Sequence, residues 1–407
     1  MPGVLPDGEP VPTDGSLPAP ALAELTARPF AFYVHVPYCA TRCGYCDFNT
    51  YTATELGGGA SQTSYAQTAI DEIRLAREVL GTDRALPVET VFFGGGTPTL
   101  LPAADLVAML RAIDDEFGLA PGAEVTTEAN PESVGPEYLE QLRAGGFNRV
   151  SFGMQSSRAH VLRILDRKHT PGRPEACVQE ARQAGFEHVN LDLIYGTPGE
   201  SDEDWSASLA AAIGAAPDHV SAYSLIVEDG TRLAARIKRG ELPMPEDDTH
   251  ADRYLMAEAA LSGAGYSWYE VSNWALTPKG RSRHNLLYWT GAHWWGVGPG
   301  AHSHVGGTRW WNVKHPVAHA QRLAAGESPA HARDVLRGED RRVERILLEL
   351  RLDSGCELSL LRTDGLAAAA RAVADGLLAP EPFAEGRAVL TLRGRLLADA
   401  VVRDLVD

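Results

Sequence analysis

The chain has 407 residues, with 37 Lys and Arg against 54 Asp and Glu, and a formal net charge of −17. That length predicts two or three domains with a substantial core, and the acidic balance excludes non-specific nucleic-acid binding, which needs clustered Lys and Arg to replace phosphate counterions. No apolar run reaches the ~18–20 residues of a membrane span, and Met1-Pro2-Gly3-Val4 lacks the basic and apolar regions of a secretory signal, so a cytoplasmic location is expected.

In chain order, residues 1–29 are rich in Pro, Gly and Ala without a period and predict a flexible or loosely docked lead-in. The Gly-rich piece 56–62 reads as a mobile loop. From residue 30, β-branched and aromatic runs alternate with helical patterns. The expected strands are 30–36, 89–93, 124–128, 149–152, 188–194 and 219–223. The expected helices are 64–79, 103–117, 136–144, 158–165, 173–184 and 202–213. Six successive β/α units imply a parallel sheet with helices outside, as an open wound sheet or a partial barrel. After residue 240 come a helix at 249–262, a window rich in Trp and His, and helices at 341–352 and 366–375. The end, 387–407, resembles a short β-wing and a helix. The expected organisation is a lead-in (1–29), an α/β unit (30–240), a Trp/His-rich region (241–338) and a small C-terminal α+β unit (339–407), partly helical and winged-helix-like. That last unit is not basic enough to suggest DNA.

The charge is uneven. Between Val271 and Gly326 there is no Asp or Glu, but there are Lys279, Arg281, Arg283, Arg309, Lys314 and Arg322, six of the thirteen His and most of the tryptophans.

Three of the five cysteines crowd directly behind the first expected strand as Cys39-x3-Cys43-x2-Cys46. Such crowding reads as ligation in a reducing compartment, not as a disulfide framework. Three thiolates can each bind one iron of a cubane cluster, leaving a fourth iron open to a small molecule. The alternatives are a Cys3His zinc site using His35, or unrelated buried thiols. Cys177 and Cys356 read as ordinary packing residues.

The cysteine motif resembles that of radical S-adenosylmethionine (SAM) proteins. The resemblance implies a [4Fe-4S] cluster on Cys39, Cys43 and Cys46, whose open iron chelates SAM; reductive cleavage of SAM then gives a 5′-deoxyadenosyl radical. It also implies a partial (β/α)6 barrel. Polar motifs follow the ends of the expected strands, where ligands bind in such folds. Gly94-Gly95-Gly96-Thr97 resembles the contact to the methionine amine, although a Gly run is also a tight turn. Glu128 matches the ribose-binding residue and Arg167 a partner for the methionine carboxylate. Gln155 and Asp192 follow in successive units, and Tyr33 and Tyr45 match positions beside SAM. Each polar group has an alternative as a cap or a surface group; their ordered recurrence favours one site.

From about residue 30 the chain resembles the group containing oxygen-independent coproporphyrinogen III oxidases and HemW-type haem chaperones. The oxidases carry a fourth Cys two positions after the third, where this chain has Phe48. His284-Asn285-Leu286-Leu287-Tyr288-Trp289 resembles the HNxxYW motif of the chaperone branch, and 269–275 and 296–303 resemble that branch too. The resemblance implies haem as cargo near His284, Asn285, Tyr288 and Trp289, haem-receiving partners (respiratory enzymes among them), and a reductant protein for the cluster. Aromatic faces, Arg281, Arg283 and imidazole would suit the ring, propionates and iron of haem. The alternative is that the tryptophans fill a core and His284 caps a helix. Which of His284, His293, His302 and His304 would bind iron stays open, as does turnover of SAM. The competing functions are oxidative decarboxylation of coproporphyrinogen III and a two-SAM methyltransferase or cyclopropanase. No nucleic-acid partner is expected, and the sequence leaves peripheral membrane contact open.

Overall fold

A computed structural model of the chain describes residues 7–52, 55 and 62–406. The piece 56–62, apart from Gln62, and residues 1–6 of the lead-in lie outside the described residues.

The strands form where β-branched and aromatic residues cluster: β1 Phe30–Val36, β2 Val88–Gly95, β3 Leu119–Ala129, β4 Arg149–Gln155, β5 His188–Tyr195 and β6 His219–Ser224. They pair in parallel in chain order. Near-continuous burial along β1 and β4 is what helices outside a parallel sheet produce. The covering helices are Gln62–Leu80, Ala103–Phe117, Pro136–Ala144, Ala159–Ile164, Arg173–Gln183 and Asp202–Gly214. In Gln62–Leu80 the buried residues Tyr65, Ala69, Ile73, Ala76 and Leu80 recur at three- and four-residue steps, one apolar stripe laid against the sheet.

The Trp/His-rich region does not fold as a separate layer. It is divided between the two edges of the same sheet. On one side β7 Ser267–Glu270 and β8 Asn273–Ala275 extend β6 antiparallel. On the other, β9 His293–Val297 pairs parallel with β1, and β10 His302–Val305, β11 Thr308–Asn312 and β12 Ala330–Val335 continue outward antiparallel. The result is a twelve-stranded sheet with β1–β6 at its centre.

The described lead-in packs on this edge. Leu25 is buried, Glu9 bridges to Arg333, and the Glu24 carboxylate pairs with Arg341 at 2.9 Å. Proline and glycine spacing carries no signal for such docking, because the partners lie 324 and 317 residues away in sequence. The C-terminal unit has its own core, including Ile346, Leu350, Cys356, Leu361, Ala369, Leu378 and Leu405. It holds a two-residue ladder, Cys356–Glu357 against Arg387–Ala388, and helices Thr363–Ala374 and Ala398–Val406.

Candidate functional site: two adjoining cavities

The loop after β1 carries the three cysteines across the sheet's C-terminal edge. Backbone bonds fix it: Cys39 N–H donates to Tyr51 O at 3.0 Å, and Gly44 N–H to Leu165 O at 3.0 Å. Cys39, Cys43 and Cys46 line one cavity of about 340 Å3, together with Tyr45, Gly95, Gly96, Thr97, Glu128, Gln155, Arg167 and Asp192. Every residue expected around cluster and SAM is thus in one place, except Tyr33, which faces a second cavity next door.

Local backbone explains the convergence. Gly95 sits at φ +106, and a Cβ there would lie 2.6 Å from the His35 ring; a Cβ at Gly96 would lie 2.4 Å from Tyr38 O. These glycines let the loop after β2 lie flush on the cysteine loop. Gln155 ends β4 at φ +65, next to a register shift against β5. A non-glycine residue held in the left-handed region is locally strained, as is common at ligand sites.

The electrostatics are set by burial. Glu128 accepts from Gly95 N–H at 3.1 Å, yet burial, helped by the charge of Asp192, pushes its carboxyl up to about 8. Asp192 accepts from Ser151 Oγ and Asn190 Nδ2, both at 2.7 Å, and burial raises it as well. Arg167 donates to Gly153 O at 2.7 Å and reaches Cys43 Sγ at 3.5 Å.

The donor set fits the cluster and SAM. The thiols are free and half-buried; burial raises Cys39 and takes Cys46 up to about 12, so ligation as thiolates releases protons. Arg167 Nε is buried without a partner among the described residues, a donor left over for an anionic group. The zinc alternative fares worse. No three His, Cys, Asp or Glu among the described residues could hold a single metal ion, whereas a cubane offers a different iron to each thiolate. His35 also has no nitrogen to spare: Nε2–H donates to Asn49 O at 2.9 Å and Nδ1 accepts from Tyr33 OH at 3.0 Å.

The second cavity, about 710 Å3, shares Phe48, Gly95 and Glu128 with the first. Phe48, 58% exposed, stands on their common wall. The His284 motif meets this cavity through Tyr288 alone. His284 is 1% exposed; its Nδ1 shares a hydrogen bond with Thr90 Oγ1 at 2.6 Å and its Nε2 one with Tyr288 OH at 2.7 Å. Burial lowers it to about 3, so the ring is neutral. Asn285 and Trp289, one position further round the same helical turn, lie against the buried Glu270. In this arrangement His284 has no nitrogen to offer an iron, and it braces Tyr288 instead. Arg281 and Arg283 are likewise engaged away from the cavity, pairing with Asp353 and Glu89 at 2.6 Å each. Of the tryptophans, Trp294 lines the cavity, while Trp295 and Trp310 pack edge to face in the core at 4.9 Å.

Sequence reasoning missed the shared wall and the role of β9–β11 in enclosing the larger cavity. Nothing in spacing or periodicity marks a parallel pairing of β9 with β1 across some 260 residues.

Residues 33–212 match the family model of the Radical SAM superfamily. The heme chaperone HemW of Mycobacterium tuberculosis is 52% identical over 95% of this chain and 97% of its own length. HemW of Lactococcus lactis is 34% identical over 81% of this chain and 83% of its own. The structure of coproporphyrinogen III oxidase (HemN) from Escherichia coli matches with a TM-score of 0.79 over 95% of this chain and 92% of that one, at 24% identity, a likeness of fold.

Proposed function

The chain belongs to the HemW heme-chaperone family of the radical SAM superfamily, and on that premise we propose that it binds haem, carries a [4Fe-4S] cluster and SAM, and delivers haem to haem-dependent proteins. The observation that carries this reading is the pair of adjoining cavities: one lined by three thiols and the polar strand ends, the other large, aromatic and imidazole-lined, with Phe48, Gly95 and Glu128 between them. A cavity of about 710 Å3 lies within the usual range for sites that enclose a sizeable organic ligand.

In this reading Cys39, Cys43 and Cys46 hold the cluster, which when bound supplies an electron and an iron with a place for the methionine end of SAM. Arg167, with one donor unspent, takes the methionine carboxylate. The backbone of Gly95, Gly96 and Thr97 faces the amine, Glu128 accepts from the ribose hydroxyls, and Gln155, Asp192 and Tyr45 complete the wall. Tyr33 and Tyr288 belong to the cargo side. Phe48 at the oxidases' fourth-cysteine position favours carriage over propionate decarboxylation, and the likeness to the oxidase is one of fold. The recipients, respiratory enzymes among them, and a reductant protein are inferred from the family, and the cytoplasm from the cysteine usage. No described helix is long and apolar enough to cross a membrane.

Anaerobic cluster reconstitution followed by haem titration tests the proposal. The expected result is stoichiometric binding with a shifted Soret band, transfer to an apo-haem protein, and no protoporphyrinogen from coproporphyrinogen III. An unshifted Soret band, or steady porphyrinogen turnover, would refute it.

A further inference from the structure

A row of polar side chains crosses the interior of the sheet. Ser151 on β4, Asn190 on β5 and His219 on β6 are direct neighbours across the three strands, and all are buried. Ser151 borders the cluster cavity; Asn190 and His219 do not. Buried polar groups are costly unless each is hydrogen-bonded, and here they are joined in one chain. Ser282 N–H donates to Tyr269 OH at 3.1 Å. Tyr269 O–H donates to His219 Nε2 at 2.8 Å, and His219 Nδ1–H donates to Asn190 Oδ1 at 2.6 Å. Asn190 Nδ2 donates to Ser151 Oγ at 2.5 Å and to Asp192 Oδ1 at 2.7 Å. Ser151 Oγ donates to Asp192 Oδ2 at 2.7 Å. A backbone N–H at one end only donates and a carboxylate at the other only accepts, so every link points toward Asp192.

We propose, building on the SAM-binding reading above, that His219 is a positioning residue for SAM: its Nδ1–H locks the Asn190 amide so that the NH2 end, not the carbonyl, faces Asp192. The two ends of an amide are nearly alike in shape, so only its partners fix which way it faces. Turned over, Asn190 would set its carbonyl against the Asp192 carboxylate and an N–H against the His219 N–H. The two oxygens of Asp192 offer about four acceptor sites. Asn190 and Ser151 occupy two of them and leave the others to a ligand of the cluster cavity, whose wall Asp192 lines. The same two donors oppose the upward push of burial on Asp192 and so favour its accepting form. His219 serves as a neutral imidazole, with one nitrogen donating and one accepting. Burial, and then the charge of Arg149, hold it well below the usual histidine range. Tyr269 fixes the tautomer and is itself clamped. Arg281 lies over its ring at 5.2 Å, and its carbonyl accepts from Asp353 N–H at 2.9 Å. The stretch 269–275 thus reaches the SAM side through a residue that borders neither cavity.

The test measures SAM affinity by equilibrium dialysis on the full chain after anaerobic cluster reconstitution, with cluster content as the check on the fold. His219→Leu is expected to weaken SAM binding roughly tenfold, the effect of losing one hydrogen bond to a charged group. His219→Asn, whose amide can still donate to Asn190, should recover most of that loss. Tyr269→Phe, which frees the tautomer while keeping the ring under Arg281, should fall between the two. In an Asp192→Asn background, His219→Leu should cause no further loss, because no carboxylate is left to orient. If His219→Leu takes up no cluster, the same double-variant comparison is made with Tyr269→Phe. Losses that add in the double variant, or wild-type affinity in folded His219→Leu or Tyr269→Phe, overturn the assignment while leaving SAM binding standing. A wild type that takes up the cluster and binds no SAM overturns this inference and the SAM reading together.

Discussion

Glu128 shows how one residue's surroundings bear on ligand affinity. Its carboxyl is pushed up to about 8, first by burial and then by Asp192, against a single stabilising N–H from Gly95. Below that pH it is protonated, and above it the carboxylate can accept from two ribose hydroxyls. SAM affinity of the cluster-loaded protein is therefore expected to rise between pH 7 and pH 8.5, by up to about tenfold per unit, and then level off. Glu128→Gln should bind more weakly and without that slope. A flat profile in the wild type, measured by equilibrium dialysis, would remove Glu128 from the SAM contacts. Gly95 and Gln155 illustrate a different kind of legibility. Gly95 stands out in the sequence because three glycines in a row are conspicuous; that a Cβ is excluded there by the His35 ring packed above it is visible only in the fold. The strained φ of Gln155 has no sequence signature at all.

At the scale of elements, the helix Arg283–Trp289 shows why the HNxxYW spacing reads two ways. Residues four apart share a helix face, so His284 and Tyr288 form one pair and Asn285 and Trp289 another. The first pair joins β2, through Thr90, to the cavity wall; the second holds Glu270 at the end of β7. His284 also stacks on Phe92 at 5.1 Å, and its backbone N–H caps onto Glu124 at 2.9 Å. Removing the ring in His284→Ala leaves Thr90 without its partner and opens a hole against Phe92. A loss of about 2–4 kcal/mol is expected, seen as a lower thermal midpoint, with haem binding weakened less than stability. A midpoint equal to wild type would mean the ring is not a packing element. The six parallel strands were legible because each is a short β-branched or aromatic run ended by glycine or a polar motif. The edge strands β9–β12 were not, because Trp, His and Gly suit a buried site as well as a sheet, and pairing across hundreds of residues leaves no local period.

Across the whole molecule, the division of labour follows the cores. The main core runs from Leu25 through the parallel strands to Ala330 and takes β9–β12 into the same packed body. The C-terminal core is separate, and its contacts with that body include charged ones: Arg395 with Glu258 at 3.0 Å and over Trp268 at 4.3 Å, Arg309 with Glu344 at 2.6 Å, Arg281 with Asp353 at 2.6 Å. Contacts of this kind permit one unit to open without the other, since each keeps its own apolar burial. The unit also presents Leu366, Leu392 and Leu397 outward. Leu405 is fully buried in the small core, and Leu405→Ala should cost about 2–5 kcal/mol there. Hydrogen exchange is expected to speed up across Thr363–Ala374 and Ala398–Val406 while β1–β6 stay protected, and cluster content and SAM affinity should match wild type. Equal loss of protection in β1–β6 would show that the two cores unfold together. Haem affinity is the sensitive readout between these outcomes, because Glu344 and Leu348 at the foot of the C-terminal unit line the larger cavity. A partial loss of haem with intact SAM binding would locate the coupling at that wall, and would make the C-terminal unit the part of the chain through which a recipient could loosen the cargo without disturbing the cluster.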